Sequence, residues 1–215
     1  MKRRYYLIGA LLIAGALVAT LVAYPYLPDR VPTHWNIHGQ VDGYSQKWTL
    51  LVFIPGIMAG IMLMFSILPW LSPRHFEVDT FTSTYLYIML VCVGMFAYVH
   101  ALSLWAALSG GGNVTRALVG GMCLLWALLG NVLGKVRRNF YVGIRTPWAL
   151  ANERVWNATH RFAAKSWFAA GLAGLVLTFA GIRFWVTFGI LMAGALAPVV
   201  YSLVYYKQLE RRGEA

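Results

Sequence analysis

Six stretches of this chain run without an Asp, Glu, Lys or Arg: 5–27, 49–71, 81–108, 117–133, 166–182 and 184–206. Crossing roughly 30 Å of hydrocarbon takes about 20 helical residues. Backbone N–H and C=O groups find no water in lipid, so such runs close their hydrogen bonds internally, as helices. The pattern predicts six membrane spans. Two polar and aromatic segments break the rhythm, 28–48 between spans one and two and 134–165 between spans four and five.

In the first segment Pro28 and Pro32 hold the backbone extended, while Gly39 and Asp42-Gly43 mark turns. A strand over 31–37 pairing with one over 41–45 is expected. In the second, Thr146-Pro147 is a helix start, a hydroxyl cap followed by a residue with fixed φ. Asn152-Glu153 offers a second start after a kink. Downstream, Ala151, Val155, Trp156, Thr159, Phe162, Ala163 and Trp167 recur at three- and four-residue spacing, with Glu153, Arg154, Asn157, Arg161 and Lys165 largely opposite. That is an amphipathic helix on the membrane face, running into span five.

Composition agrees. Of 215 residues 60% are hydrophobic and 12% charged, about half the charged share of a soluble domain. The net charge of +11 would suit nucleic acid were it not for its distribution. With the N-terminus inside, the segments 1–4, 72–80, 134–165 and 207–215 hold fourteen Lys and Arg, against four outside: Arg30, Lys47, Arg116 and Arg183. This is the positive-inside bias expected of a cytoplasmic-membrane protein with both termini cytoplasmic. Anionic lipid, with no direct nucleic acid, is its expected charged partner. The opening Lys-Arg-Arg and Ala14-Gly15-Ala16 imitate a signal peptide, yet the apolar run continues to Leu27, so an uncleaved first span is expected.

Candidate chemistry is sparse. His100 is the one ionisable side chain inside a span, which argues against a coupled pump. Cys92 and Cys123 lie in spans and read as small buried apolar residues. Gly120, Gly121, Gly171, Gly174 and Gly181 read as sites of close helix packing. His34, His38 and Asp42 stand four apart, ligand-type residues that a helix would gather for zinc; on an extended chain they spread about 13 Å apart. His34, His38 and His100 are thus weak metal candidates, and no cofactor is expected. No HExxH, nucleophile elbow or Cys–His pair suggests catalysis.

The two segments resemble known modules. Gly130-Asn131, Asn139-Phe140-Tyr141-Val142-Gly143-Ile144-Arg145-Thr146-Pro147-Trp148, Val155-Trp156 and Thr159-His160-Arg161 closely resemble the signature of the SdpI immunity-protein family. Val31-Pro32-Thr33-His34-Trp35-Asn36, Gly39, Asp42-Gly43-Tyr44 and Lys47 resemble the uncharacterised domain that often precedes it; His38 lies outside that pattern. The resemblance implies a bacterial membrane protein that protects its producer from a secreted membrane-active toxin peptide. It also implies, for some members, holding a winged-helix transcriptional repressor at the membrane.

The expectation is an all-α integral membrane protein of six transmembrane helices, N-in and C-in, with an inner-face amphipathic helix between spans four and five. It divides into an N-terminal hairpin, 1–71, and an SdpI-like domain, 72–215, that includes the signature segment 134–165. Toxin-binding candidates are His34, Trp35, Asn36, Tyr44 and Lys47. Candidates for docking a cytoplasmic partner are Asn131, Asn139, Gly143, Arg145, Thr146, Pro147, Trp148, Asn152, Trp156, Thr159 and His160. The bland alternative for that inner set is anchoring, with Arg145 and the asparagines on carbonyls and lipid phosphates and the tryptophans at the interface; His160 reads as a pH reporter or a plain hydrogen-bond donor. Transport of a small solute or lipid, and a metalloenzyme built on the 28–48 histidines, are the competing functions; a non-enzymatic role is preferred.

Overall fold

The computed structural model describes residues 2–36, 40–73, 78–110 and 114–214. Among them the helices are α1 (Lys2–Ala23), α2 (Thr49–Ile67), α3 (Thr82–Leu108), α4 (Thr115–Leu133), α5 (Pro147–Ala151), α6 (Glu153–Phe179) and α7 (Phe184–Arg211), with short 3-10 turns at Tyr24–Tyr26 and Val78–Phe81. All but α5 are long and apolar enough to cross a membrane. The protein is a multi-pass membrane protein. The segment from Glu153 and span five are one helix of 27 residues, about 40 Å long.

Strands β1 (Arg30–Trp35) and β2 (Val41–Gln46) form an antiparallel hairpin, close to the expected pairing. The ladder runs from Arg30 opposite Gln46 to Trp35 opposite Val41, with irregularities on either side of His34. Asn36 and Gln40 close the hairpin: the Asn36 N–H donates to the Gln40 carbonyl (2.9 Å) and the Gln40 N–H to Asn36 Oδ1 (3.0 Å).

The chain forms two compact units. Met1–Phe65 and Met89–Met122 make the first, Ser66–Ile88 and Cys123–Ala215 the second. In the first unit Val31 enters a core with Leu27, Leu50, Leu104 and Ala107, which fixes the hairpin over the ends of α2 and α3. Ile54, Met58 and Val93 form a second core against α1. In the second unit, glycine lets helices α4, α6 and α7 approach closely: a Cβ at Gly171 would strike the backbone of Cys123 and Ala127, and one at Gly174 the Cys123 sulfur. Gly181 serves another purpose than the packing expected of it. It takes φ 77° in the turn between α6 and α7, open to glycine at little cost.

Pro198 lies inside α7 and has no N–H to offer the Gly194 carbonyl one turn back. The Ser166 hydroxyl on α6 donates to that carbonyl at 3.0 Å instead. A side chain from the neighbouring helix thereby satisfies a backbone group that lipid could not.

Candidate functional site: a knotted signature segment and a hairpin

Asn139 is fully buried and organises the turn that leaves α4. Its Nδ2 donates to the carbonyls of Arg137 (2.7 Å) and Val142 (3.0 Å), and its Oδ1 accepts from the N–H groups of Tyr141 (2.7 Å) and Val142 (2.8 Å). One amide side chain satisfies four backbone groups, which an irregular segment needs when it is buried. The Arg145 guanidinium donates to the Phe140 carbonyl across the same turn.

Gly143 follows at φ 110°, and a Cβ there would overlap Nε2 of His160. The Ile144 N–H donates to that Nε2 at 3.0 Å, while His160 Nδ1 donates to the Trp156 carbonyl at 2.9 Å. A ring that accepts at one nitrogen and donates at the other is a neutral imidazole in one tautomer. His160 is thus neither a plain donor nor an open pH reporter: it is the bracket between α6 and the turn. Trp156 stacks on it with centroids 4.1 Å apart, and its indole N–H donates to the Val136 carbonyl at 2.8 Å. Both rings are buried in the protein, so Trp156 is not an interfacial anchor. Thr159 is buried beside them, its hydroxyl without a partner among the described residues.

The short helix α5 is pinned from three sides. Thr146 stands at its N-cap with Pro147 behind it, but the Thr146 hydroxyl makes no cap; it lies 3.3 Å from the Ser202 hydroxyl on α7. The Trp148 indole N–H donates to the same Ser202 oxygen at 2.6 Å. Arg138 donates to the Leu150 carbonyl at 3.2 Å, on the last turn of α5. Asn152 then caps α6 as expected, its Oδ1 accepting from the N–H groups of Arg154 (2.8 Å) and Val155 (3.2 Å). Asn131 stands apart: it is exposed on α4 and makes no side-chain hydrogen bond among the described residues. Sequence reasoning missed Ser202 and Arg138 as members of this knot. A serine alone in an apolar helix was the available signal, but nothing in the sequence ties it to a tryptophan 54 residues earlier.

The hairpin carries the other candidates. His34 Nδ1 meets Asp42 Oδ1 at 2.5 Å across the strands, both side chains well exposed, a pair worth little in water. Lys47 pairs with Asp29 (3.1 Å) and lies over the Tyr24 ring. Tyr44 is 58% exposed. Trp35 is half-buried, and its indole N–H has no partner among the described residues. His100 is buried within the first unit, its Nε2 2.7 Å from the Thr20 hydroxyl and 3.2 Å from the Ala16 carbonyl, apart from His34 and Asp42. Among the described residues no group of three or more His, Cys, Asp or Glu is placed to hold a metal ion. His38 lies outside the described residues.

Residues 135–202 match the SdpI/YfhL protein family, and residues 11–59 match a domain of unknown function, DUF1648. A Bacillus subtilis (strain 168) relative named Immunity protein SdpI is 26% identical over 207 residues, covering 94% of this chain and 96% of the relative. Over residues 135–202 the chain is similar to the SdpI/YfhL family. No solved structure matches it. The SdpI/YfhL match runs from Lys135 to Ser202, so both ends of the knot, the α4 exit turn and its α7 anchor, fall inside it. The DUF1648 match holds the whole hairpin and most of α2.

Proposed function

We propose that this protein is a bacterial membrane immunity factor that protects its cell from a secreted, membrane-active toxin peptide, by binding and without catalysis. The observation that carries the reading is kinship along nearly the full chain with the relative named Immunity protein SdpI. Both termini lie in the cytoplasm, as the fourteen-to-four distribution of Lys and Arg favours. The hairpin then faces outward, and His34, Trp35, Asn36, Tyr44 and Lys47 meet the toxin. The indole N–H of Trp35, without a partner among the described residues, supports that placement, because an enclosed donor costs about 1–3 kcal/mol until an acceptor reaches it. A peptide carbonyl is such an acceptor.

On the cytoplasmic side the knot around Asn139, Gly143, Trp156 and His160 presents exposed Arg145, Arg154 and Arg161, which suit an acidic surface on a winged-helix repressor. Signalling through it requires the toxin to bind two states of the protein unequally. Equal binding gives protection alone.

The test is survival of a sensitive bacterium expressing the chain and challenged with an SdpC-type toxin peptide, beside Trp35→Ala and Arg145→Ala variants at matched membrane abundance. Protection by the parent chain, lost with Trp35→Ala, is the expected result. Absence of protection by the parent overturns the immunity reading. Full protection by Trp35→Ala removes the hairpin from it.

A further inference from the structure

The hairpin is a sheet of two strands, so each strand has one edge without a neighbouring strand. The two edges differ. The Lys47 N–H donates to the Asp29 carbonyl, and an antiparallel ladder alternates between bonded and non-bonded pairs. Arg30–Gln46 and Pro32–Tyr44 are therefore the non-bonded pairs, with their backbone groups turned outward. On β1 that edge carries the charge of Arg30 and, at Pro32, no N–H at all, two devices that keep a strand edge from pairing. The β2 edge has neither. Asp42, the one charged side chain of β2, is drawn across the hairpin to His34. The Gln46 carbonyl is taken by the Thr49 hydroxyl at 2.7 Å, but the N–H and C=O of Tyr44 meet no partner among the described residues.

What lies under this edge is also particular. Val31 stands opposite Ser45 and enters the core beneath the hairpin. Side chains alternate along a strand, so Ser45 looks toward the helices and Tyr44, 58% exposed, looks away. The Ser45 and Thr33 hydroxyls are 3.2 Å apart. Between them and the start of α2 lies an open cleft of ≈ 470 Å³, lined further by Trp48, Thr49, Val52 and Phe53. Hydroxyls close one side of it, and exposed apolar side chains the other.

We propose that the β2 edge takes an extended segment of the toxin peptide as a third strand. This rests on the immunity reading and names how the peptide is held. An outward N–H and C=O on one residue are met together by the backbone of another extended chain; a lipid phosphate only accepts, and leaves the carbonyl unmet. A strand added beside Tyr44 sets alternate side chains on the face of Ser45, toward the cleft, and the rest in water beside the Tyr44 ring. The segment that fits is apolar toward Trp48, Val52 and Phe53 and polar outward, and an amphipathic peptide has residues of both kinds to offer. Backbone pairing asks for that alternation rather than for particular side chains.

Binding of an SdpC-type toxin peptide to the full-length chain in phospholipid nanodiscs tests this, with hydrogen exchange of the Tyr44 amide followed through isotope-labelled tyrosine. Tyr44→Pro removes the outward N–H and no bond of the hairpin, the setting in which a strand accepts proline. It is expected to bind the peptide about tenfold more weakly. Tyr44→Val keeps the N–H and is expected to stay within about threefold of the parent. In the parent chain, the peptide is expected to slow exchange at Tyr44, a readout that needs no variant to fold. Exchange already slow without the peptide means that a second copy covers the edge, and overturns the proposal. Peptide binding with Tyr44 exchange unchanged overturns it as well, as does a folded Tyr44→Pro variant that binds like the parent, or an equal loss with Tyr44→Val; each leaves the immunity reading standing on another surface. No binding by the parent overturns both.

Discussion

Gly143 is the residue on which the signature segment turns. Its φ of 110° belongs to a region that L side chains rarely adopt, and the space a Cβ needs is filled by the His160 ring. Gly143→Ala therefore meets backbone strain and a collision together, and is expected to cost about 1–3 kcal/mol; unfolding of the purified protein in detergent measures it. Trp156→Phe poses a milder question. It keeps most of the ring volume but leaves the Val136 carbonyl without its donor, so a loss of about 1–3 kcal/mol is expected by the same measurement. At this scale the sequence was partly legible. The run from Asn139 to Trp148 identified the segment, and Asn152 was read correctly as a cap. Thr146 was not, because a hydroxyl before proline satisfies the local rule for capping while its true neighbour, Ser202, comes from 56 residues away. Local rules see local partners. His160 was misread for a related reason: a histidine's role follows from what stands at both nitrogens, and here one partner is a backbone N–H in a turn whose shape a glycine sets.

Elements were the most legible scale, since hydrogen-bond closure in lipid leaves helices little alternative and charge marks their ends. The hairpin was legible too, through prolines and glycines; what could not be read was its register, because irregularities around His34 shift the pairing. The α6–α7 seam lay beyond reach altogether. Pro198 announces a broken hydrogen bond in the sequence, but not which side chain repairs it. Ser166 does so in the structure, and a double-mutant cycle tests the assignment. Ser166→Ala alone is expected to cost about 1 kcal/mol, the scale of one interhelical hydrogen bond. In a Pro198→Ala background the restored N–H takes over the Gly194 carbonyl, and the cost of Ser166→Ala is expected to fall close to zero. Equal costs in both backgrounds would show that Ser166 acts through something other than that carbonyl.

For the whole molecule, the membrane class is carried by composition and the two proposed surfaces by orientation. If all six apolar helices cross the membrane, both termini share a side, and a single choice of side settles where the hairpin and the signature segment lie. The hairpin is useful against a secreted peptide only if it faces outward; the knot and its arginines can reach a cytoplasmic partner only if they face inward. Lys and Arg favour one arrangement by fourteen to four, and the bias acts during insertion on short segments near span ends, which describes every segment here. Single cysteines, in a chain with Cys92→Ala and Cys123→Ala, test it with a membrane-impermeant maleimide on intact cells. Tyr44→Cys, at an exposed hairpin position, is expected to label at once. Glu153→Cys, at the exposed start of α6, is expected to label only after the cells are opened. The reverse pattern would put the hairpin in the cytoplasm, where no secreted peptide meets it, and the immunity reading would then need a different binding surface.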